Sequence, residues 1–510
     1  MPLRKGGAHV GVLSRLSEIL PGSGRLSTID TARAAPPPSP LAPINLQDPS
    51  QVAGVMSIAA RIGDILVGSG TGNRDAQAQV RAVTSAYGLI YCHIAITMNT
   101  IQLSASVGTG ANKQPVQVFR VARTPTTDFS KLAEVDRLIR SIQSGATGPD
   151  IAEKILDELE ARPRGFGFRT AIWGWALLGG AVAILLGGGL FVAAVAFVAS
   201  FVIIGLNEVL ARRGLPDFFL QVLGGFIATL PAAVIYELAQ QFGIQIRPSQ
   251  IIASCIIVLV AGLSLVQSLQ DGMTHATVTG SARFFDTILM TTGIVAGVAM
   301  GISAAGMFDI DLPPMEATPP PNFTGALVMV AASAVICAGF AVGVYGERSA
   351  IAVSMAAGML GASTFHLIFL PLGMGTVMAS GAAAVAIGLS GGLLARRFLI
   401  PPLITAIAGI TPLLPGLMLY RAMYALLSEQ TLVGFTNLFL ALAIAGSLAA
   451  GVVLGEWMAR RIRRPQDFRP YAALRRAGRF SFQTLARRQK PVRPAQTSRR
   501  LRKPRGGSVN

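Results

Sequence analysis

The sequence predicts an α-helical polytopic membrane protein with ten transmembrane helices arranged as a 5+5 inverted repeat. A small soluble N-terminal α/β domain precedes them and a basic C-terminal tail follows. Three observations carry this reading. Residues 166–459 hold only 20 charged side chains, where an ordinary soluble domain would devote about a quarter of its positions to them. The arginines left in that stretch gather mostly in alternate connections. The two halves of the stretch also match one another at a constant offset of 154 residues.

Composition narrows the function classes first. The 510 residues are 52% hydrophobic and 13% charged, with a mean hydropathy of +0.55, which excludes a disordered chain and argues against an ordinary soluble enzyme. The net charge of +18 is concentrated at one end, because residues 460–510 carry 17 Lys and Arg against one acidic residue. A basic tail of this kind does not imply a nucleic-acid partner. Its Phe468, Tyr471, Leu474, Phe480 and Phe482, set among arginines, read as an interfacial helix on anionic membrane lipid or as a disordered topology anchor. Cys92, Cys255 and Cys337 read as free thiols. Without a CxxC or a Cys/His cluster, neither metal nor cofactor is expected.

Residues 1–49 form a leader ending in the Pro-rich stretch Ala34 to Pro40. Ser14, Arg15, Ser17 and Glu18 interrupt its apolar run, so no cleaved signal peptide is expected. Residues 50–165 read as the α/β domain. Helices are predicted over Gln51–Val67, Asp75–Leu89, Phe129–Gln143 and Pro149–Ala161, with strands around Tyr91–Thr97, Thr100–Val107 and Pro115–Ala122. Between the first two helices, Gly68 to Asn73 is Gly-rich and could cradle an anion. It lacks the Lys of a phosphate-binding loop and follows a helix, so it reads as a loop and helix start. His93 with Cys92, Thr97 or Thr100 is too generic a grouping to assign a nucleophile.

Ten apolar segments of spanning length follow, centred on 170–187, 190–209, 218–239, 250–269, 284–307, 323–345, 350–370, 374–394, 399–424 and 431–457. An acidic linker, 309–322, contains five prolines and divides the membrane region into modules 166–308 and 323–459. With the N-terminal domain inside, the inner loops hold Arg212, Arg213, Arg283, Arg348, Arg396 and Arg397, and the outer side holds only Arg247 and Arg421. Ten crossings also return the tail to the inside, whereas nine or eleven would not.

Residues 248–301 and 402–455 are identical at 13 of 54 positions, where shared composition alone would give roughly a tenth. Glycine and proline recur together: Pro248/Pro402, Gly262/Gly416, Gly280/Gly434, Gly297/Gly451 and Gly301/Gly455. Each module has an odd number of spans, so matched helices run in opposite directions, the architecture of many secondary transporters.

The repeat points to two candidate broken helices, one from Val260 to Asp271 and one from Ile410 to Arg421. Pro412 and Pro415 remove two helix donors, a break tolerated in lipid only against protein or a water-filled cavity; a plain proline kink is the alternative. The substrate-binding candidates are therefore Gly262, Gln267, Pro412, Pro415, Gly416, Tyr420 and Arg421, and the proton-coupling candidates are Glu237 and Asp271. Asp271, His275, Arg283 and Asp286 lie in or beside an inner loop and are expected to be solvated. Glu208 and Glu456 lie toward the inner ends of their spans, within reach of head groups. His366 reads as a packed histidine.

Ala261-Gly262 through Asp271 with Gly280 and Arg283, and Pro412-Leu413-Leu414-Pro415-Gly416 with Tyr420, resemble the threonine/serine exporter family of bacterial membrane proteins over roughly residues 50–457. Ala261 stands where relatives carry a proline before the glycine. The resemblance implies a cytoplasmic N-terminal domain, two five-span modules in the cytoplasmic membrane and cytoplasmic termini. It implies export of L-threonine and L-serine driven by the proton motive force, and no enzyme activity. The alternatives are export of another small metabolite such as a dicarboxylate, or a membrane-anchored hydrolase acting through residues 50–165. A homo-oligomer is left open.

Overall fold

The computed structural model describes residues 44–98, 100–108, 113–122, 128–161, 167–243, 246–259, 261–310, 323–398 and 400–462. The expectations for the leader up to 43, for the linker from 311 to 322 and for the tail from 463 onward lie outside the described residues.

The N-terminal part is built on α1 (Pro49–Gly68), α2 (Asn73–Ala86), strands β1 (Cys92–Thr97), β2 (Thr100–Val107) and β3 (Gln114–Val121), then α3 (Phe129–Gln143) and α4 (Pro149–Ala161). The strands form an antiparallel meander in the order β1-β2-β3. Their alternation of apolar and polar residues gives the sheet one buried face, carrying Ile94, Ile101, Leu103 and Val107. The helices supply the matching apolar stripes, with Val55, Ile62 and Leu66 from α1 and Leu132, Val135 and Ile139 from α3. Asp48 and Asp128 cap α1 and α3 by accepting backbone N–H bonds from Ser50, and from Ser130 and Lys131. Arg120 of β3 pairs with Asp64 of α1 at 2.8 Å and with Glu160 of α4 at 3.2 Å. Arg61 of α1 meets the same Glu160 at 2.9 Å, so three elements share one ion network.

The helical part comprises α5 (Phe168–Leu185), α6 (Leu190–Ala211), α7 (Asp217–Gln241), α8 (Pro248–Val258), α9 (Ala261–Met273), α10 (Thr277–Gly306), α11 (Phe323–Gly343), α12 (Arg348–Ser363), α13 (Thr376–Phe398), α14 (Pro402–Ile410), α15 (Gly416–Leu427) and α16 (Thr431–Ile462). Among the described residues nine helices are long and apolar enough to cross a membrane, and the bent pairs α8–α9 and α14–α15 bring the total to as many as eleven. One of the nine is α1, which packs on β2, β3 and the neighbouring helices of the N-terminal part. A π-helical turn, Thr364–Phe369, extends α12 and carries His366, whose ring meets Phe365 edge-on at 4.8 Å.

Residues matched at the 154-residue offset occupy the same structural positions. Pro248 and Pro402 each open a helix, α8 and α14, where a missing N–H costs nothing. Thr277 and Thr431 open α10 and α16. Helix α7 packs along α10 and α13 along α16, and in both pairs the contact is made by matched glycines. A methyl group added to Gly297 would stand 1.9 Å from the Val222 carbonyl oxygen, and one added to Gly451 would stand 2.4 Å from that of Gly381. Gly280 and Gly434 press in the same way on the carbonyls of Ser268 and Ala422, at 2.8 and 3.1 Å. Such spacing leaves no room for a side chain, so Gly297→Ala and Gly451→Ala should each force their helix pair apart. The cost of overpacking, about 1–3 kcal/mol, should appear as a lower Tm of the detergent-purified protein. Gly306→Ala, where a methyl group meets nothing within 4 Å, should leave the Tm unchanged.

Two contacts seat the N-terminal part on the helical part. The Phe129 N–H donates to the Val344 carbonyl at 3.0 Å, with the Phe129 and Phe340 rings edge-to-face at 6.2 Å and an Arg137–Glu347 ion pair beside them. The second contact involves the loop between α1 and α2. These contacts define a domain face of the helical part, and the opposite end is its far face.

Candidate functional site at two crossing helix breaks

Helices α8 and α9 meet at an angle of 46°, and α14 and α15 at 52°. The second break is written in the chain's chemistry. Thr411 to Leu413 form a single 3-10 turn, Leu414 is extended, and α15 starts anew at Gly416. Pro412 and Pro415 cannot donate to the carbonyls four residues earlier, those of Ala408 and Thr411. Both carbonyls have found other donors: Ala408 accepts from the Thr411 N–H and from the Cys337 thiol, whose sulfur lies 3.0 Å away, and Thr411 accepts from the Leu414 N–H at 3.4 Å. The first break has no proline, yet its bend is almost as large. Ala261 in place of proline therefore does not straighten the helix.

The two breaks touch. A methyl group added at Gly262 would lie 3.2 Å from the Gly416 nitrogen and 3.3 Å from the Leu414 Cβ. These glycines are each other's partners at the 154-residue offset. The first turns of α9 and α15 thus cross at their smallest residues, with the N-terminal, electropositive helix ends brought together inside the apolar part of the molecule. Pro415 and Gly416 are buried there, and Pro412 is half-buried.

The other site candidates fall elsewhere. Arg421 lies on α15, half-buried, five residues beyond the crossing toward the far face; the Tyr420 side chain lies outside the described residues. Glu237 is half-buried on α7, one turn from its end at the far face. Gln267 and Asp271 lie on α9 toward the domain face, and the crossing does not include them. Asp271, expected to be solvated, is 1% exposed. It pairs with Arg283 of α10 at 2.8 Å and accepts the Asn73 backbone N–H at the start of α2. His275 and Asp286 are exposed, as expected of an inner loop. The physical reason for the difference is the domain. The Gly-rich loop that follows α1 lies on α9, so the anion it cradles is the protein's own Asp271. Gly70 adopts φ +86° and faces the Gln267 amide, and Gly72 faces the Asp271 carboxylate, each at 3.4 Å from where a Cβ would stand.

Thr279 was not singled out in the sequence. Its buried hydroxyl oxygen accepts from the Asn73 side-chain amide at 2.6 Å and from the Met98 backbone N–H at 3.1 Å. The signal for it lies in the repeat. At the matched offset Gln267, Asp271, Thr279 and Arg283 become Arg421, Ala425, Val433 and Asn437, so the two groups that accept from the domain, Asp271 and Thr279, are the two replaced by apolar residues.

The N-terminal part has a separate cleft of about 440 Å³ in which Arg81, His93, Gln102 and Ser104 converge. Among the described residues its lining includes no carboxylate to orient the imidazole, the third member of a hydrolytic triad.

The family described as "Putative threonine/serine exporter" matches residues 57–305, and the one described as "Threonine/Serine exporter, ThrE" matches residues 329–458. A protein of Corynebacterium glutamicum named "Threonine/serine exporter" is 59% identical over 463 residues, 91% of this chain and 94% of its own. The chain belongs to the threonine/serine exporter family. A second member of that family, "Probable threonine/serine exporter" of Mycobacterium tuberculosis, is 36% identical over 80% of this chain and 77% of its own. No solved structure matches the chain. The two family matches meet in the stretch 306–328, around the Pro-rich linker, so each broken helix lies in its own match: Gly262 in the first and Gly416 in the second.

Proposed function

We propose that this chain exports L-threonine and L-serine from the cytoplasm, driven by the proton motive force, along a path that passes the Gly262–Gly416 crossing. Membership of the exporter family carries the substrate. The crossing carries the site, because two helix breaks in lipid are tolerated only against protein or a water-filled path. The electropositive starts of α9 and α15 suit the substrate carboxylate, and Arg421 lies on the far-side approach. The proton is carried by Glu237 or Asp271.

Ten helices cross the membrane in this reading, counting each bent pair once and leaving α1 in the cytoplasmic domain, whose sheet it covers. Packing supports the 5+5 inverted repeat: α5 pairs with α11, α7 with α10 and α13 with α16, and the matched glycines touch equivalent carbonyls. Glu456, near the end of α16, lines one cavity with Gly70 of the domain. Both ends of the helical part thus share a face, which requires an even number of crossings. The arginine-rich tail then meets anionic lipid on the cytoplasmic side.

Cells with and without the gene, fed a threonyl dipeptide, test the function. Cells carrying it should hold less internal threonine and release more, and a protonophore should remove the difference. Equal accumulation in the two strains would overturn the export reading. Efflux that survives the protonophore would overturn the proton drive alone.

A further inference from the structure

We propose that the α1–α2 loop is the domain-side gate of this path, and that Asn73 and Thr279 are positioning residues for transport because they hold the loop shut. The inference rests on the export reading and adds a moving part to it. The loop occupies the mouth formed by α9, α10 and the end of α16. Between Gly70, Gln267, Asp271, Arg283 and Glu456 only about 30 Å³ remains, room for a water molecule and far too little for an amino acid. A substrate arriving from the domain face meets the loop before it meets Gly262.

The closure is held by donors that the domain contributes. Thr279 takes two of them, and Asp271 takes the N–H at the positive end of α2. Both acceptors are buried, at 2% and 1% exposure, so losing the domain's donors without replacement is costly. A substrate ammonium is such a replacement for Asp271: it is a hydrogen-bond donor of the same sign as the helix end that it would displace. The substrate can thus favour the opened form by differential binding. The far face has no counterpart to this device. Thr279 and Asp271 give way there to Val433 and Ala425, and among the described residues the domain docks on one face alone. The gate is an addition to the symmetric part, and it acts on one side only.

The test uses the full-length chain in inverted membrane vesicles, where export is read as proton-driven uptake of labelled threonine and the domain faces the medium. Cys92, Cys255 and Cys337 are buried and stay in place. In an Asn73→Cys/Thr279→Cys double variant, a short membrane-impermeant bis-methanethiosulfonate should bridge the loop to α10 and stop uptake. Dithiothreitol should restore it, and each single-cysteine variant should transport equally with and without the reagent. Bridged protein that carries threonine at the unbridged rate would overturn the gate. Should the double variant be inactive before bridging, Thr279→Val decides. It weakens only the closed form, so the fraction open rises and the apparent KM should fall severalfold, with Thr279→Ser restoring the wild-type value. An unchanged KM in Thr279→Val would equally overturn the gate. Failure of the export reading looks different, because wild-type vesicles would then take up no threonine at all.

Discussion

Replacing Gly416 with leucine is expected to reduce threonine efflux to that of cells lacking the gene, with membrane insertion unchanged. The expectation follows from the contact geometry. A first carbon at Gly416 meets only Ile257 Cγ1 at 3.5 Å, an ordinary van der Waals distance, so Gly416→Ala should insert, fold and retain much of its transport. The larger branch of leucine continues from that carbon toward α8, where Ile257 already stands beside the crossing. Gly262→Ala should fall between the two, since its methyl group meets the Gly416 backbone at 3.2 Å and the neighbours must give by a few tenths of an ångström. The order of efflux, Gly416→Ala above Gly262→Ala above Gly416→Leu, is therefore set in advance. Pro415→Ala should join the leucine variant for another reason: it supplies an N–H four residues after Thr411 and lets α14 run on into α15. Efflux normalised to inserted protein checks all four. Wild-type efflux from Gly416→Leu would make the crossing ordinary packing.

The second large effect is expected at the Asp271–Arg283 pair. The Asp271 side chain is 2% exposed and that of Arg283 21%, so the two partners are not equally exposed to loss. Arg283→Ala leaves a buried carboxylate its Asn73 N–H but takes its counter-charge away; Asp271→Ala leaves a guanidinium that can still reach water. Breaking a buried pair from one side costs about 3–5 kcal/mol, and here the full penalty should fall on Arg283→Ala, with Asp271→Ala milder. Folded yield in detergent, measured by size-exclusion chromatography, should follow that order. The double variant Asp271→Leu/Arg283→Met, which replaces both charges with apolar side chains, should recover yield but not transport. Recovered transport would show that the pair only holds the structure together.

How much of this was legible in the chain depends on the range of the interaction. Phe129–Gln143 and Pro149–Ala161 were readable to the residue because Asp128 caps the first and Pro149 opens the second, and both signals are local. The span pattern was readable because lipid imposes a length and a polarity on each helix. The break at Pro412–Gly416 was readable from two missing N–H groups. The break at Ala261 was legible only through the repeat, because it has no proline of its own and is flagged by its match to the proline-marked segment. The burial of Asp271 is not legible from its own segment. Its neighbours in sequence are loop residues, while the groups that bury it come from Gly70 to Asn73, about two hundred residues earlier. The same distance hid Thr279. Only comparison of the two halves, with Thr279 against Val433 and Asp271 against Ala425, carries a trace of the docking.

The contact of Gly262 with Gly416 has a consequence for which way net transport runs. On the proposed inverted repeat, the two matched glycines would look alike from either side of the membrane, and a site made by them alone would be a two-way valve. Microscopic reversibility means that no fixed structural feature, symmetric or not, sets the direction of net movement; the driving gradient does. What the two halves do not share, Gln267 against Arg421 and Asp271 against Ala425, can set only how tightly and how fast each side of the proposed path works. Reversing net movement would then need a different driving gradient or a different coupling to it, with the crossing left untouched.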